Sequence, residues 1–143
     1  MINQPKNLSQ KQFILKMVKR HSSPLLLISK EILKKQFTTF RKYLPEVAVY
    51  YAIKANPNLE IIKTFSRLGA NFDVASGTEI RWASRAGAKP KNIIFANTIK
   101  SEQDLKYARV KKIYQMTFDN EAELDKIKKY CPEAELVLRL KVA

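Results

Sequence analysis

The sequence predicts an α/β fold: a (β/α)8 barrel of the TIM type, incomplete and lacking its C-terminal part. Three observations predict it. Short apolar runs alternate with amphipathic ones from residue 24 onward, their starts recur about every 22 residues, and no glycine-rich GxGxxG turn occurs. Repeating βα units of that length imply parallel strands joined by right-handed helical crossovers. Such a pattern fits a doubly wound sheet or a barrel. The glycines Gly69, Gly77 and Gly87 form no dinucleotide fingerprint, so the barrel is favoured. A complete barrel takes roughly 250 residues, and this chain has 143. The last strand is therefore expected to present an open edge.

Each element follows from its residues. Leu25 to Ser29 reads as a first strand introduced by Pro24, and Lys30 to Tyr43 as a helix with Ile32, Leu33, Phe37 and Phe40 near helical spacing. Pro45 marks a break. Val47 to Ile53 is a continuous apolar, β-branched and aromatic run, the mark of a strand covered on both faces. Asn58 to Leu68 forms a helix with Gly69 as its stop. Asn71 to Ala75 is a short strand, followed by a helix from Thr78 to Arg85 that Gly87 ends. Asn92 to Ala96 is the next strand, and Ser101 with Asp104 opens a helix in a capping-box arrangement. Ile113 to Phe118 is a strand, Asn120 caps a helix from Glu121 to Tyr130, and Glu135 to Leu140 is the last strand. Residues 1–22 are expected as a basic helical extension and residues 23–143 as the barrel portion.

Composition narrows the function classes. A hydrophobic content of 45% argues against a mainly disordered chain. No run approaches the ~18 consecutive apolar residues of a membrane span. The N-terminal run Phe13 to Leu15 is broken by Lys16, among the bases Lys6, Lys11, Lys19 and Arg20, so a secretory signal is not expected. Cys131 alone makes no internal disulfide, which agrees with a reducing compartment and a cytoplasmic location. The net charge of +14 raises nucleic-acid binding, but the lysines are scattered and accompany no RRM-like or zinc-finger motif. They are read as solvated helix surfaces, with no nucleic-acid partner expected. His21 has no second His or Cys at ligand spacing, so no metal site is expected.

In parallel α/β folds the chemistry gathers at the C-terminal ends of the strands. Here those positions hold Lys54, Asp73, Ser76, Glu79, Asn97, Asp119 and Arg139. Lys54 ends a seven-residue apolar run, where desolvation would favour the neutral amine that attacks an aldehyde; a lysine snorkelling to solvent is the alternative. Asp73 and Glu79 read as paired carboxylates near that amine, or as a turn residue and a helix first-turn acid. Arg139 lies in a strand and calls for a partner: a bound group, or a carboxylate of a neighbouring strand. Cys131 is expected as a buried structural thiol.

Taken together these residues carry a resemblance. The run Tyr51-Ala52-Ile53-Lys54-Ala55-Asn56 resembles the cofactor-lysine motif of the alanine-racemase-fold decarboxylases, which include ornithine, diaminopimelate and arginine decarboxylases. Phe72 to Ser76 with Thr78-Glu79-Ile80 resembles their second motif, and Ile93 to Asn97 with Lys100 their third. Met116 to Asp119 and Leu136 to Arg139 are similar to further strands in the same order. Ala96-Asn97 points to the ornithine decarboxylase type, since diaminopimelate decarboxylases tend to carry Gly-Asn there.

The resemblance implies pyridoxal 5'-phosphate as cofactor, held by Lys54, and decarboxylation of a basic amino acid, ornithine to putrescine first among the candidates. It implies that Asp73 and Glu79 are the carboxylates near the lysine and that Arg139 lies on the cofactor side. A homodimer is implied for a full-length enzyme. The family's glycine-rich phosphate loop, its acid facing the pyridine nitrogen, its ring-stacking histidine and its C-terminal β-domain have no counterpart in these residues. The chain alone is therefore expected to be inactive. A diaminopimelate decarboxylase-type fragment and a non-catalytic remnant that binds a full-length homologue are the alternatives.

Overall fold

Side-chain caps set where the helices begin. In the computed structural model, which describes residues 9–142, each α-helix opens on a serine or asparagine. The elements are α1 (Gln10–His21), α2 (Lys30–Tyr43), β1 (Tyr50–Ala52), α3 (Leu59–Arg67), β2 (Asn71–Val74), α4 (Gly77–Arg85), β3 (Ile93–Phe95), α5 (Glu102–Val110), β4 (Gln115–Phe118), α6 (Glu121–Tyr130) and β5 (Glu135–Leu138). Their caps are Ser9, Ser29, Asn58, Ser76, Ser101 and Asn120, each accepting a first-turn N–H. Gly69 and Gly87 end α3 and α4 at φ of 80° and 89°. In both, the next residue's N–H reaches back to the helix, Ala70 to Phe65 and Ala88 to Ala83 at 3.0 Å. Of the expected basic extension, residues 1–8 lie outside those described.

The five strands are parallel and lie in the order β1-β2-β3-β4-β5. Phe72, Val74, Ile93, Phe95 and Met116 are buried on one face, clustered with Ile62, Ile80, Ala83, Leu105, Ala108 and Ile127 of the helices. The alternate positions Ala52, Asp73, Ile94 and Gln115 stand in one register line and stay partly exposed. A doubly wound sheet reverses its strand order and carries helices on both faces. Strict sequence order with helices on one face makes this sheet a portion of an α/β barrel, as the pattern predicts.

Two strand expectations are corrected. Leu25 to Ser29 forms no strand, and Leu26 is 77% exposed. A strand exists by pairing, and no strand among the described residues lies beside this segment. The run from Val47 is a strand only over Tyr50–Ala52, and Ile53–Ala55 turns into a 3₁₀ helix. It is not covered on both faces: β1 is an edge with β2 as its one partner, and Val47 and Tyr50 are exposed. At the other edge β5 pairs with β4 and leaves Leu136, Val137 and Leu138 exposed.

One helix start differs from its pattern. Ser101 accepts from the Asp104 N–H at 3.0 Å, but the Asp104 carboxylate does not return to Ser101. It accepts instead from the Gly77 N–H at 3.0 Å, so an acid of α5 caps the neighbouring α4. A Cβ on Gly77 would press on that carboxylate oxygen, so the carboxylate would have to shift and loosen its bond to the Gly77 N–H.

Candidate active site at the strand ends

Lys54 sits on the 3₁₀ turn that follows β1. The turn is pinned from below by Ile53, which is wholly buried. It is pinned from the side by Tyr51, whose ring stacks on Phe65 at 4.4 Å and whose hydroxyl donates to the Asn56 carbonyl at 3.0 Å. Burial pushes the Tyr51 phenol up. The lysine itself is exposed, so the desolvation expected from the apolar run is not realised among the described residues. Of the run it follows, Ile53 is buried in the core, whereas Val47 and Tyr50 are exposed at the sheet edge.

Asp73 lies in β2, paired across the sheet with Ala52 and, on the other side, with Ile94. Burial raises its pKa above the usual carboxylate value, and the nearby charge of Lys54 pulls it partly back. The fold thus brings Lys54 and Asp73 together from residues 19 apart in sequence. Glu79 does something else. Its Oε2 accepts from the Ala75 N–H at 2.8 Å, and its own N–H donates to Ser76 Oγ at 3.3 Å. One oxygen of its carboxylate is thereby committed to the backbone just before α4.

Arg139 follows β5 and is exposed. The expectation of a strand-buried guanidinium is corrected: β5 has one neighbour, so little covers its end. Its backbone N–H donates to the Phe118 carbonyl at 2.8 Å, beside Asp119. Bonds from Asn120 and Thr98 hold the Asp119 carboxyl below its ordinary value, with a smaller contribution from the Arg139 charge.

The most buried charges at this edge are Lys100, which the third motif includes without a role, and Glu123, which no motif marks. Lys100 has a side chain with no exposed surface, and it pairs with Glu123, 3% exposed, at 3.0 Å. Burial pushes the Lys100 pKa down, opposed by the hydrogen bond and charge of Glu123. Burial also works against ionisation of Glu123, yet its bonds to Lys126 and Lys100 outweigh that and hold its carboxyl below the usual range. The available signal was a lysine three residues after Asn97, in the same motif. Asn97 itself bridges the strand ends, donating from Nδ2 to the Ala75 carbonyl at 3.2 Å. Cys131 is buried at the end of α6, and burial pushes its thiol up. No group of three His, Cys, Asp or Glu side chains converges among the described residues.

Residues 30–143 match the family described as pyridoxal-dependent decarboxylase, pyridoxal binding domain. The chain belongs to that family. A probable ornithine decarboxylase of Dictyostelium discoideum is 46% identical over 109 residues, 76% of this chain and 24% of that protein. The solved structure of SrLDC in complex with PLP and cadaverine superimposes at a TM-score of 0.87 and 34% identity, over 99% of this chain and 36% of that one. A lysine/ornithine decarboxylase of Vibrio vulnificus complexed with putrescine gives 0.85 and 30%, over 93% and 37%. The chain thus spans about a quarter to somewhat over a third of the length of these relatives.

The residues present fit the cofactor of this pyridoxal-binding family. An accessible primary amine at the C-terminal edge, beside a half-buried carboxylate and tied by no ion pair among the described residues, is the group an aldehyde requires. Lys100, the other amine at this edge, is buried against three acceptors and meets neither condition.

Proposed function

We propose that this chain provides the cofactor-lysine part of a pyridoxal-phosphate-dependent decarboxylase acting on a basic amino acid, ornithine first. The observation that carries the reading is the exposed Lys54 on its pinned turn, next to Asp73 across the sheet. When bound, pyridoxal phosphate supplies the electron sink that makes loss of CO₂ from an amino acid feasible.

The chain's own residues prepare that chemistry. Lys54 would hold the cofactor through its amine. Asp73 lies beside it, and its carboxylate would balance the charge of the Lys54 ammonium. Glu79 and Asn97 act one step removed, by bonding the N–H and the carbonyl of Ala75 and so holding the loop after β2 in place. Arg139, at the far end of the strand row, offers a positive charge to an anionic group on the cofactor side.

Ornithine is favoured over other basic amino acids by Ala96-Asn97 and by the ornithine decarboxylase among the relatives. Lysine is the alternative that the lysine/ornithine decarboxylase relative supports. We further propose a cytoplasmic, homodimeric setting for the whole enzyme. Among the described residues no helix is long and apolar enough to cross a membrane.

The test is selective labelling. The 143-residue chain is incubated with limiting pyridoxal phosphate and reduced with borohydride, which traps the C=N bond as a secondary amine, and the modified lysines are mapped by mass spectrometry. Lys54 should take most of the label, and Asp73→Asn should lower its share. Label spread evenly over the exposed lysines would sink the reading.

A further inference from the structure

Lys100 lies in the loop between β3 and α5. Its Nζ donates to the Asn97 carbonyl at 2.8 Å, the Thr117 carbonyl at 2.6 Å and Glu123 Oε1 at 3.0 Å. Its own backbone N–H meets the same Oε1 at 3.1 Å, while Lys126 holds the other carboxylate oxygen at 2.6 Å. The three acceptors come from three places: the loop after β3, the end of β4 and the first turn of α6. All three ammonium protons are therefore used, and all inside the protein.

Packing alone does not call for this arrangement. Burying a lysine and a glutamate is costly, and apolar side chains of similar volume are often as stable or more so. An ammonium can do what a methionine cannot, which is to gather carbonyls of separate strands and orient their peptide planes. One of the gathered peptides belongs to Asn97, whose side chain continues the connection. Its Nδ2 donates to the Ala75 carbonyl at 3.2 Å and its Oδ1 accepts from the Ile99 N–H at 3.2 Å. Ala75 stands two residues beyond Asp73. A chain of bonds thus runs from Glu123 through Lys100 and Asn97 to the end of the strand that bears Asp73.

We infer that Lys100 is a positioning residue of the candidate site, acting through Asn97 on the end of β2 and thereby on the place of Asp73 beside Lys54. The inference rests on reading the strand ends as the pyridoxal-phosphate site. The same bonds explain why two lysines at one edge differ in kind: Lys54 is left free to react, and Lys100 is committed to geometry.

A double-variant cycle tests it on the whole chain, with wild type, Lys100→Met, Asn97→Ala and the combination. Amide hydrogen exchange is followed at Ala75 and Ala96, whose N–H groups bond Glu79 and the Val74 carbonyl. Each single substitution should speed exchange at both by about tenfold. The combination should be no faster than the faster single, because both cut the same connection. The share of borohydride-trapped pyridoxal label on Lys54 should fall severalfold in all three variants.

Additive effects in the combination would overturn the inference. So would unchanged exchange at Ala75 in Lys100→Met, or coupled exchange with undiminished labelling of Lys54. Should Lys100→Met fail to fold, Lys100→Arg keeps the charge but cannot present three donors from one atom, and the cycle is run with it. A wild-type chain with no preference for Lys54 would refute the proposed function, and the exchange cycle would then decide the role of Lys100 by itself.

Discussion

Replacing Glu123 with Gln should be among the most damaging isosteric changes in this protein. The amide keeps the shape and one carbonyl oxygen, but it removes the negative charge facing the Lys100 ammonium at 3.0 Å, where the two side chains are 0% and 3% exposed. Breaking a buried pair by removing one partner typically costs about 3–5 kcal/mol, because the other charge stays buried. The retained oxygen and the two carbonyls on Lys100 place this case near the lower end, at about 3 kcal/mol. A chain of 143 residues carries on the order of 10 kcal/mol of stability in total. At about 3–4 °C per kcal/mol for this length, the melting midpoint should fall by about 10 °C.

Urea and thermal unfolding at pH 7 measure the effect, with Glu102→Gln as the control. The pair it breaks, Lys106 with Glu102, spans 3.9 Å with side chains 60% and 57% exposed, so its loss should stay under about 0.5 kcal/mol. The sign with pH is also set. The folded carboxyl of Glu123 sits below its unfolded value, so its contribution is full above about pH 4.3 and lost as pH falls through the folded value. Glu123→Gln should therefore flatten the acid limb of stability. A loss at pH 7 no larger than that of the control would refute the reasoning.

The other predictions are direct. Asp73 has a folded pKa above its unfolded value of about 3.9, so its ionised form opposes folding at neutral pH and the penalty disappears below that value. Asp73→Asn should raise stability at pH 7, with the gap closing in acid, while lowering the Lys54 share of label. Unfolding curves at pH 7 that show no gain would mean the carboxylate has a stabilising partner. Lys54→Ala should abolish the selective label and, being at an exposed position, change stability by under about 0.5 kcal/mol in the same unfolding assay. Gly77→Ala should lose about 1 kcal/mol as the Asp104 carboxylate is pushed off the Gly77 N–H, and far less when Asp104 is also alanine. Equal losses in both backgrounds, read from urea midpoints, would show that the clash is relieved some other way.

The sequence by itself determined the parallel α/β class, each helix from Lys30 onward, the caps Ser101 and Asn120 and the stops at Gly69 and Gly87, because these depend on spacing and on contacts within a few residues. It also marked Lys54 and Asp73, since motif positions at strand ends are read locally. Tertiary structure decided what depends on neighbours. Leu25 to Ser29 has every local sign of a strand, yet strands need partners and it has none among the described residues. Glu79 reads as a site carboxylate, and the fold adds a second task, a bond to the Ala75 N–H at 2.8 Å. Asp104 carries the signature of a cap on its own helix and caps the preceding one, α4, instead. Lys100 belongs to a motif in the sequence, but its burial and bonds exist only once three chain segments close over it. Local periodicity reports which face a residue takes, while burial and pairing are properties of segments brought together from afar, and only the folded chain sets them.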